Sequence, residues 1–201
     1  MRGEPQQGGC MTSLSMAFHQ DAVSDDHRFP SRSHGDAVWT FDHLEAFVMH
    51  MDVECGPTST VPVDVVVLFS NHCFTREIRA GEVVDEAHVV MDGRVRRVLD
   101  ETRYDLSRRY LPRLVRELPV RQIRVADPSR PNFVTLELPP AAPGVAPQHY
   151  AVFFEVKKDQ QRRHRMLLRV QSAYVLDRPA RRLLQAEKMR FPVILKRAFG
   201  R

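Results

Sequence analysis

The feature that most constrains the fold is the segment Val61–Phe69, whose sequence is VPVDVVVLF. The segment is rich in β-branched residues and almost continuously hydrophobic, and the turn-forming residues Gly56 and Pro57 precede it. A short apolar run bounded by turn residues is typical of a strand that is covered on both faces. We therefore predict a central strand of a sheet at this position.

A second strong pattern is the pair of segments His149–Lys157 and Arg165–Val175, which are separated by a charged loop. Two apolar segments with a short polar connection predict an antiparallel hairpin. Since successive side chains of a strand point to opposite faces, one set is predicted to face the core: Met166, Leu168, Val170, Ser172 and Tyr174. Further strands are predicted at Val120–Ala126, Asn132–Leu138 and Phe191–Ala198, with a short hairpin formed by Val83, Val84, Val89 and Val90 around Met91–Gly93.

A helix is predicted after Asp100, which is a good N-cap residue. From residue 101 to residue 118, apolar residues recur every three or four positions, which is the period of an amphipathic helix. Pro112 lies inside this segment and must kink the helix or divide it into two near Tyr110. A second, short basic helix is predicted at Arg178–Lys188.

These elements together predict an α+β fold. Strands in series after a helix, without regular strand and helix alternation, favour a mostly antiparallel sheet with one or two helices packed on one face. The predicted single domain spans residues 37–201, and Trp39–Met49 within it is either a short helix or an extended segment. Residues 1–36 have a polar composition without periodicity, so we expect a disordered leader. The Pro-rich segments 127–131 and 139–147 are expected to be turns and loops.

The charged residues are distributed unevenly along the chain. Residues 1–100 contain 8 basic and 16 acidic residues, whereas residues 101–201 contain 22 basic and 9 acidic residues. Of the basic residues 26 are arginine, which binds phosphate in a bidentate manner, although the codon bias of a GC-rich genome produces the same excess. An anionic partner such as RNA, or neutralisation of one half by the other, would explain the asymmetry.

The cysteines and the apolar segments bear on the cellular compartment. Cys10, Cys55 and Cys73 form no CxxC pair and are odd in number, which favours free thiols in a reducing compartment over disulfides or a zinc site. No apolar run is long enough to span a membrane, and the N-terminus lacks the pattern of a signal peptide. We therefore expect a cytoplasmic protein that needs no cofactor and no metal ion.

The densest polar cluster is Ser70–Arg76, at the C-terminal end of the predicted central strand. His72 in this cluster is a candidate general acid/base, because imidazole titrates near neutral pH, and Cys73 beside it is a candidate thiol nucleophile. Three residues from other elements are predicted to line the same pocket and to complete the catalytic set: Arg103, Ser172 and Tyr174. The alternative is structural, with His72 hydrogen-bonded to the turn and the tyrosine packed in the core.

Basic residues from several segments are candidates for a phosphate-binding surface. The candidate nucleic-acid ligands are Arg97, Arg109, Arg113, Lys157, Lys158, Arg162 and Arg163. A solvated charged face has the same pattern, so both interpretations stand. Glu155 and Lys157 also form an E-x-K triplet, the half-motif of magnesium-dependent nucleases in which the carboxylate holds the metal. An ion pair at the mouth of the hairpin is the alternative.

Five motifs occur in a distinctive order along the chain. They are LFSNHCFTR at 68–76, TRYDLSRRYLPRL at 102–114, PNFVTLEL at 131–138, YAVFFEV at 150–156 and LRVQSAYV at 168–175. In these motifs the chain resembles a group of short uncharacterised bacterial proteins, some of them labelled stationary phase growth adaptation or heat-shock proteins. The resemblance covers about residues 39–199 and implies no particular mechanism.

A more distant similarity, at the level of fold only, is to the barnase-like and RelE-like ribonuclease toxins. In those proteins a helix precedes an antiparallel sheet, and they use no metal ion, whereas here the strand Val61–Phe69 comes before the helix. Two hypotheses for function follow. The first is a metal-independent RNA-cleaving or RNA-binding protein, with His72 as acid/base and Arg97 and Arg103 as phosphate ligands. The second is a non-catalytic, stress-related regulatory or protein-interaction module.

Overall fold

Strands form about half of the chain that the structure, a computed structural model, describes. The described residues are 28–56, 58–125, 132–140, 147–176 and 186–200. The strands are β1 (Arg32–His34), β2 (Ala37–Trp39), β3 (Phe47–Glu54), β4 (Thr60–Phe69), β5 (Thr75–Glu77), β6 (Val89–Asp92), β7 (Val95–Leu99), β8 (Gln122–Val125), β9 (Asn132–Leu138), β10 (Gln148–Lys158), β11 (Arg165–Leu176) and β12 (Glu187–Arg190). The helices are α1 (Glu101–Arg116) and α2 (Phe191–Phe199). The predicted turn 127–131 and most of the predicted loop 139–147 lie outside the described residues.

Seven of these strands form one large sheet, in the order β12-β8-β9-β10-β11-β4-β3. Neighbouring strands are antiparallel except β11 and β4, which run parallel. A three-stranded sheet in the order β5-β7-β6 and the pair β1-β2 complete the sheets of the described residues. The predicted α+β domain with a mostly antiparallel sheet is confirmed.

β4 contains the hydrophobic segment from which the sheet was predicted. Its residues Val65 to Phe69 are all buried, at 5% exposure or less, because β3 and β11 flank the strand and both of its faces are covered. The strand is internal, but the prediction that it is central is wrong. β10 lies in the middle of the seven strands, whereas β4 neighbours the edge strand β3. Continuous hydrophobicity depends on coverage of the two faces and carries no information about distance from the edge.

The predicted hairpin is confirmed as β10 and β11, but its predicted core face is only partly correct. The pairing shifts by one residue because β11 contains an extra residue, Gln171, opposite β10. Such a β-bulge changes the face to which the following side chains point. Ala173 is therefore fully buried on the core side, whereas Ser172 and Tyr174, which were predicted to face the core, point to the other face.

Helix α1 begins where it was predicted. The side chain of Asp100 caps the helix by accepting a hydrogen bond from the backbone N–H of Arg103 at 2.9 Å. Pro112 removes one helical hydrogen bond, yet a single helix continues through it. Packing compensates for that lost bond, since apolar residues on both sides of the proline are buried at 2% exposure or less. They are Leu111, Leu114 and Val115.

The prediction of a closing strand at Phe191–Ala198 is wrong, because these residues form helix α2. Pro192 occupies the first turn of this helix, where the missing N–H has no helical partner in any case. The residues buried at helical spacing are Phe191, Ile194 and Leu195. The predicted helix Arg178–Lys188 lies mostly outside the described residues, and its last two residues belong to β12. No helix among the described residues is long and apolar enough to cross a membrane.

Both helices pack on one face of the large sheet, as predicted. The ring of Tyr110 in α1 lies 6.4 Å from the ring of Tyr150, and the ring of Phe191 in α2 lies 6.2 Å from the ring of Phe154. Tyr150 and Phe154 belong to β10 and are an even number of residues apart, so their side chains point to the same face. The core lies between this face and the two helices.

The ordered domain begins before the predicted boundary at residue 37. β1 and β2 pair around Gly35, which has a φ of +59°, so residues 28–36 do not belong to a disordered leader, and residues 1–27 lie outside the described chain. Trp39, at the end of β2, stacks on Tyr104 of α1 with the ring centroids 4.0 Å apart and the planes within 5°. This stack attaches the two-stranded sheet to the helix.

The predicted valine hairpin is also displaced. Val89 and Val90 lie in β6, but their partners are in β7, and the turn between the strands contains Gly93 with a φ of +59°. Val83 lies in a loop and is 97% exposed. The turn selects the pairing, because only glycine adopts a positive φ without a steric penalty, and the strands on its two sides are therefore the ones that meet.

Candidate functional site

The chain leaves β4 through a tight turn that orients His72. Ser70 precedes a 3₁₀ turn at Asn71–Cys73, and its hydroxyl accepts a hydrogen bond from the backbone N–H of His72 at 3.1 Å. The same hydroxyl donates to the carbonyl of Gln171 in β11 at 2.7 Å. The polar cluster predicted at Ser70–Arg76 is thus fixed to the neighbouring strand beyond the end of β4.

His72 forms a hydrogen-bonded pair with Asp92. The two atoms Nε2 and Oδ2 are 2.7 Å apart, and the side chains are 15% and 35% exposed. Because a carboxylate only accepts hydrogen bonds, Nε2 carries the proton and Nδ1 has a free lone pair. Burial lowers the pKa of His72 below its usual value, and the hydrogen bond that His72 donates to Asp92 opposes this shift only in part. The imidazole is therefore neutral at pH 7 and is able to accept a proton.

Two guanidinium groups meet on Thr75, which is itself fully buried. Arg97 donates to the Thr75 hydroxyl at 2.8 Å and to its carbonyl at 3.2 Å, and Arg103 donates to the same carbonyl at 2.8 Å. Arg97 is 5% exposed. Burial, followed by the nearby charge of Arg103, lowers the pKa of Arg97. Two like charges thus lie close together in a poorly solvated position.

Neither guanidinium has a carboxylate within 4.0 Å among the described residues. Glu77 and Asp92 act on Arg97 only from a greater distance. Arg103 also donates to the carbonyl of His72 at 3.0 Å, which places the turn that carries His72 beside both arginines. The arrangement combines positive charge with a proton acceptor, and this combination binds an anion and acts on it by acid/base chemistry.

Of the four predicted catalytic residues, the structure brings three together. The guanidinium carbon of Arg103 lies 4.9 Å from the centre of the Tyr174 ring, so His72, Arg103 and Tyr174 form one group with Arg97. In the described part of the chain, Ser172 forms no hydrogen bond with His72 or Arg103. It pairs with Phe153 in the hairpin, and its role stays a prediction.

Sequence reasoning missed Asp92 and assigned no role to Thr75. Asp92 lies in a short segment that was interpreted only as a turn, and it reaches His72 because β6 pairs with β7 and β7 pairs with β5. No spacing rule in the sequence links these residues. The signal for Thr75 was its place in the polar cluster Ser70–Arg76, and its hydroxyl and carbonyl oxygens accept hydrogen bonds from the two arginines.

The interpretation of Cys73 as a nucleophile is not supported. Its side chain is fully buried, and this burial raises its pKa to about 12. A thiolate is the reactive form of cysteine, so a thiol with such a high pKa is inert near neutral pH. The buried sulfur packs in the core cluster below the turn.

Comparison with known proteins gives one match that covers most of the chain and all the residues of this cluster. The model of the YjaZ family matches residues 31–199. The chain belongs to the YjaZ family. No curated protein and no solved structure matches it.

In this YjaZ-family chain, the predicted basic loop lies far from His72. Lys157 and Lys158 end β10, and Arg162 and Arg163 lie in the loop that leads into β11. The His72 turn packs beside the other end of β11. Seven residues of strand between Arg165 and Ser172 correspond to about 23 Å. Lys158 donates to the carbonyl of Phe199, at 3.3 Å. The role of these four residues as nucleic-acid ligands stays a prediction.

The two predicted ligands on α1 are exposed. Arg113 donates to Glu117 at 2.6 Å, and the guanidinium of Arg109 lies 5.9 Å from the Tyr110 ring. Ten residues of helix separate Arg103 from Arg113, which is about 15 Å. These arginines extend away from the His72 cluster along the outside of the YjaZ-family fold.

The E-x-K triplet forms the ion pair that was its alternative interpretation. Lys157 Nζ lies 3.0 Å from Glu155 Oε1, and Gln171 donates to the other carboxylate oxygen at 3.3 Å. Within the described ranges no group of three or more His, Cys, Asp or Glu side chains is placed to hold a metal ion. The magnesium-nuclease interpretation consequently lacks its upstream acidic ligand there.

A second histidine, His43, is half-buried against α1. Its Nε2 lies 2.8 Å from the hydroxyl of Ser107, which donates in turn to the carbonyl of Tyr104 at 2.7 Å. Because the serine proton is used in that bond, His43 donates to Ser107 from its Nε2–H. Burial, with a smaller effect of Arg108, lowers the pKa of His43 to about 4. Ser107 is fully buried, so this pair is structural.

The low pKa of His43 predicts acid destabilisation. A histidine that is neutral in the folded state and has a pKa near 6.5 when unfolded stabilises the fold above pH 6.5, and the stabilisation is lost as the pH falls toward 4. The expected loss is at most about 3 kcal/mol. In urea unfolding at pH 7 and pH 4.5, His43→Gln should show a smaller difference than the wild-type protein. An equal difference in the two proteins would contradict the assignment.

Proposed function

We propose that this protein binds RNA at the cluster of His72, Arg97 and Arg103 and cleaves it without a metal ion. The observation that supports the proposal is the pair of guanidinium groups on Thr75, with no carboxylate within 4.0 Å among the described residues. A buried charge without a partner destabilises a fold. A phosphate group supplies the missing negative charge, and the planar fork of arginine matches its oxygens.

The neighbouring imidazole provides the chemistry. Nδ1 of His72 accepts the proton of a ribose 2′-hydroxyl, while Asp92 holds the Nε2–H in place. The 2′-oxygen forms a bond to phosphorus and the bond from phosphorus to the 5′-oxygen breaks. The leaving oxygen takes a proton from water, and His72 returns its proton to solvent. The two arginines stabilise the additional negative charge of the phosphorane. The Tyr174 ring packs against the guanidinium of Arg103.

The predicted cytoplasmic location fits this substrate, as does the free and exposed thiol of Cys55. We also propose that the activity serves the response to stress, as the resemblance to proteins labelled stationary phase growth adaptation or heat-shock proteins implies. Metal-independent cleavage is the strategy of the barnase-like and RelE-like toxins. A non-catalytic module that binds an acidic protein is the competing function, and the following experiment separates the two.

The test uses the purified full chain with single-stranded RNA in the presence of EDTA. Wild-type protein should give products with 2′,3′-cyclic phosphate and 5′-hydroxyl ends. His72→Ala should lower the cleavage rate by about 100-fold or more, which is the usual contribution of a general base, and RNA binding should persist. His50→Ala is the matched control, since His50 lies on β3 and is 82% exposed at its side chain, and it should cleave as wild type does.

Each outcome has a defined meaning. If Arg103→Ala binds RNA as tightly as wild type, the anion site is wrong. If RNA binds but is not cleaved, the protein is an RNA-binding protein and the catalytic role of His72 is wrong. If wild-type protein neither binds nor cleaves RNA and instead forms a salt-sensitive complex with an acidic protein, the competing function is correct.

A further inference from the structure

Strand β3 forms one edge of the large sheet, and it lacks most of the features that protect an edge strand. It has eight residues, FVMHMDVE, and contains neither lysine nor proline. Its pairing with β4 is regular from Phe47 to Glu54. Natural edge strands are protected by short length, charged side chains and above all lysine, proline or a bulge. Of these β3 has only the two carboxylates of Asp52 and Glu54, whereas the opposite edge strand β12 has four residues and carries Lys188. Among the residues that the structure describes, no strand pairs with the outer side of β3.

The outward-facing backbone groups of β3 can be assigned from one hydrogen bond. The N–H of Asp64 in β4 donates to the carbonyl of His164, on the β11 side, at 2.8 Å. Asp64 is the pairing partner of His50. When a residue of an antiparallel pair directs its N–H and C=O away from the partner strand, the residue directly opposite it does the same. His50 therefore presents both groups to the open edge, and so do the residues at two-residue intervals from it, which are Val48, Asp52 and Glu54.

We propose that a second copy of this chain pairs with β3 across this edge in antiparallel orientation. A two-fold axis beside Met51 would place His50 opposite Asp52 of the second copy, and Asp52 opposite its His50. The eight paired residues would form about eight main-chain hydrogen bonds. Two seven-stranded sheets would then become one continuous sheet of two copies.

Charge selects this register over its neighbours. Shifting the axis by one residue toward the N-terminus places His50 opposite His50 of the second copy. Shifting it by one residue toward the C-terminus places Asp52 opposite Asp52 of the second copy. Like charges in directly opposed positions destabilise a sheet, whereas opposite charges stabilise it. The axis beside Met51 gives two pairs of His50 with Asp52 and opposes no two like charges, whereas the axis beside Asp52 gives two pairs of His50 with Glu54 but also opposes Asp52 to Asp52 of the second copy. His50 also donates to Asp64 through Nδ1 at 2.8 Å, so the ring that donates to Asp52 of the second copy through Nε2 is the protonated imidazole, which carries an N–H on both nitrogens.

The core-facing side chains of β3 provide the apolar part of the contact. Phe47, Met49 and Met51 pack against the core but are only partly buried. A second copy would cover this exposed apolar surface, because Met51 would contact Met51 of the second copy and Met49 would contact Val53 of the second copy. The proposal is independent of the RNA site, because the edge lies on the far side of β4 from the His72 turn.

The first test is the mass of the full-length protein by light scattering after size exclusion. Wild type should have twice the mass of the 23.2 kDa chain. Asp52→Pro removes one outward N–H and no bond to β4, a position that an edge strand tolerates, and it should be a monomer. Asp52→Lys keeps the backbone donor, places a cation opposite His50, and should shift the equilibrium to monomer. A monomeric wild type, or a dimer that both variants retain, would overturn the proposal.

The second test is the register. In a background of Cys10→Ser and Cys55→Ser, Met51→Cys should form an intermolecular disulfide on mild oxidation, because the Cα atoms of such a pair lie about 4.5 Å apart. Met49→Cys is the matched control on the same face, and its two copies would lie about 14 Å apart. Equal cross-linking of the two variants, or none in Met51→Cys, would show that the pairing is wrong.

Discussion

An Arg97→Met variant should unfold at a higher temperature than the wild-type protein in a buffer without multivalent anions. Arg97 is 5% exposed and lies beside Arg103, with no carboxylate of the described residues within 4.0 Å. Replacing buried charged groups by apolar side chains of similar volume often stabilises a protein by about 1–4 kcal/mol. In a chain of this size each kcal/mol corresponds to about 2–4 °C in the unfolding temperature.

Thr75 explains why methionine is tolerated at this position. After the substitution the Thr75 carbonyl keeps its bond from Arg103 at 2.8 Å, and its hydroxyl still donates to the carbonyl of Asn71 at 2.8 Å. The hydroxyl oxygen loses the hydrogen bond from Arg97 Nε, but both polar groups of Thr75 keep one hydrogen bond each. Thr75→Val is the contrasting variant, because it removes the hydroxyl that both Arg97 and Asn71 use. It should lower the free energy of unfolding by about 1–3 kcal/mol.

Anions should reverse the order of stability at the arginine site. A ligand that binds only the folded state at 100 times its dissociation constant stabilises that state by about 2.7 kcal/mol. Short RNA oligonucleotides should therefore raise the unfolding temperature of the wild-type protein and leave that of Arg97→Met unchanged. If Arg97→Met is instead less stable than wild type with and without RNA, the guanidinium is a structural group and the proposed anion site loses its support.

Replacement of Trp39 by alanine should lower the free energy of unfolding by about 3–5 kcal/mol. Trp39 is 6% exposed, its ring stacks on Tyr104 at 4.0 Å, and its other face stacks on His34 at 4.2 Å. The pair β1-β2 has no hydrogen-bonded neighbour strand in the described chain, and a two-stranded sheet alone is marginally stable. The tryptophan is the main contact that holds this pair against α1.

Urea unfolding with tryptophan-independent detection, such as far-ultraviolet circular dichroism, measures this effect. Val38→Ala is the matched control, since Val38 neighbours Trp39 and is 67% exposed; it should change stability by no more than about 0.5 kcal/mol. Hydrogen exchange should also become faster at the β1 and β2 amides in Trp39→Ala. Equal stability of the alanine variants at positions 38 and 39 would show that the stack contributes little.

The sequence predicted those parts of the fold in which local chemistry dominates. The hydrophobic run in β4, the cap at Asp100 and the hairpin of β10 and β11 each depend on residues that are close together in the chain. The predictions were wrong where contacts between residues far apart in the chain determine the secondary structure. Phe191–Ala198 carries β-branched residues and was predicted as a strand, but burial against β10 and a proline suited to a first turn make it helical.

The candidate site divides in the same way. His72 and Arg103 were predicted because residue type and position at an element's end are visible in the sequence. Asp92 was missed, since its approach to His72 depends on the order β5-β7-β6, which no local pattern encodes. The extra residue in β11 was equally invisible, and it alone changed the predicted face of Ser172 and Tyr174.

The parallel pairing of β4 with β11 has a consequence for synthesis on the ribosome. The partners Asp64 and Arg165 are separated by about 100 residues, which at the usual rate of translation take about 5–20 s to synthesise. During that interval β3 and β4 can already form their hairpin, but the other edge of β4, with its row of valines, has no partner. The first half of the chain, with 8 basic and 16 acidic residues, carries a net negative charge that disfavours association between such nascent chains.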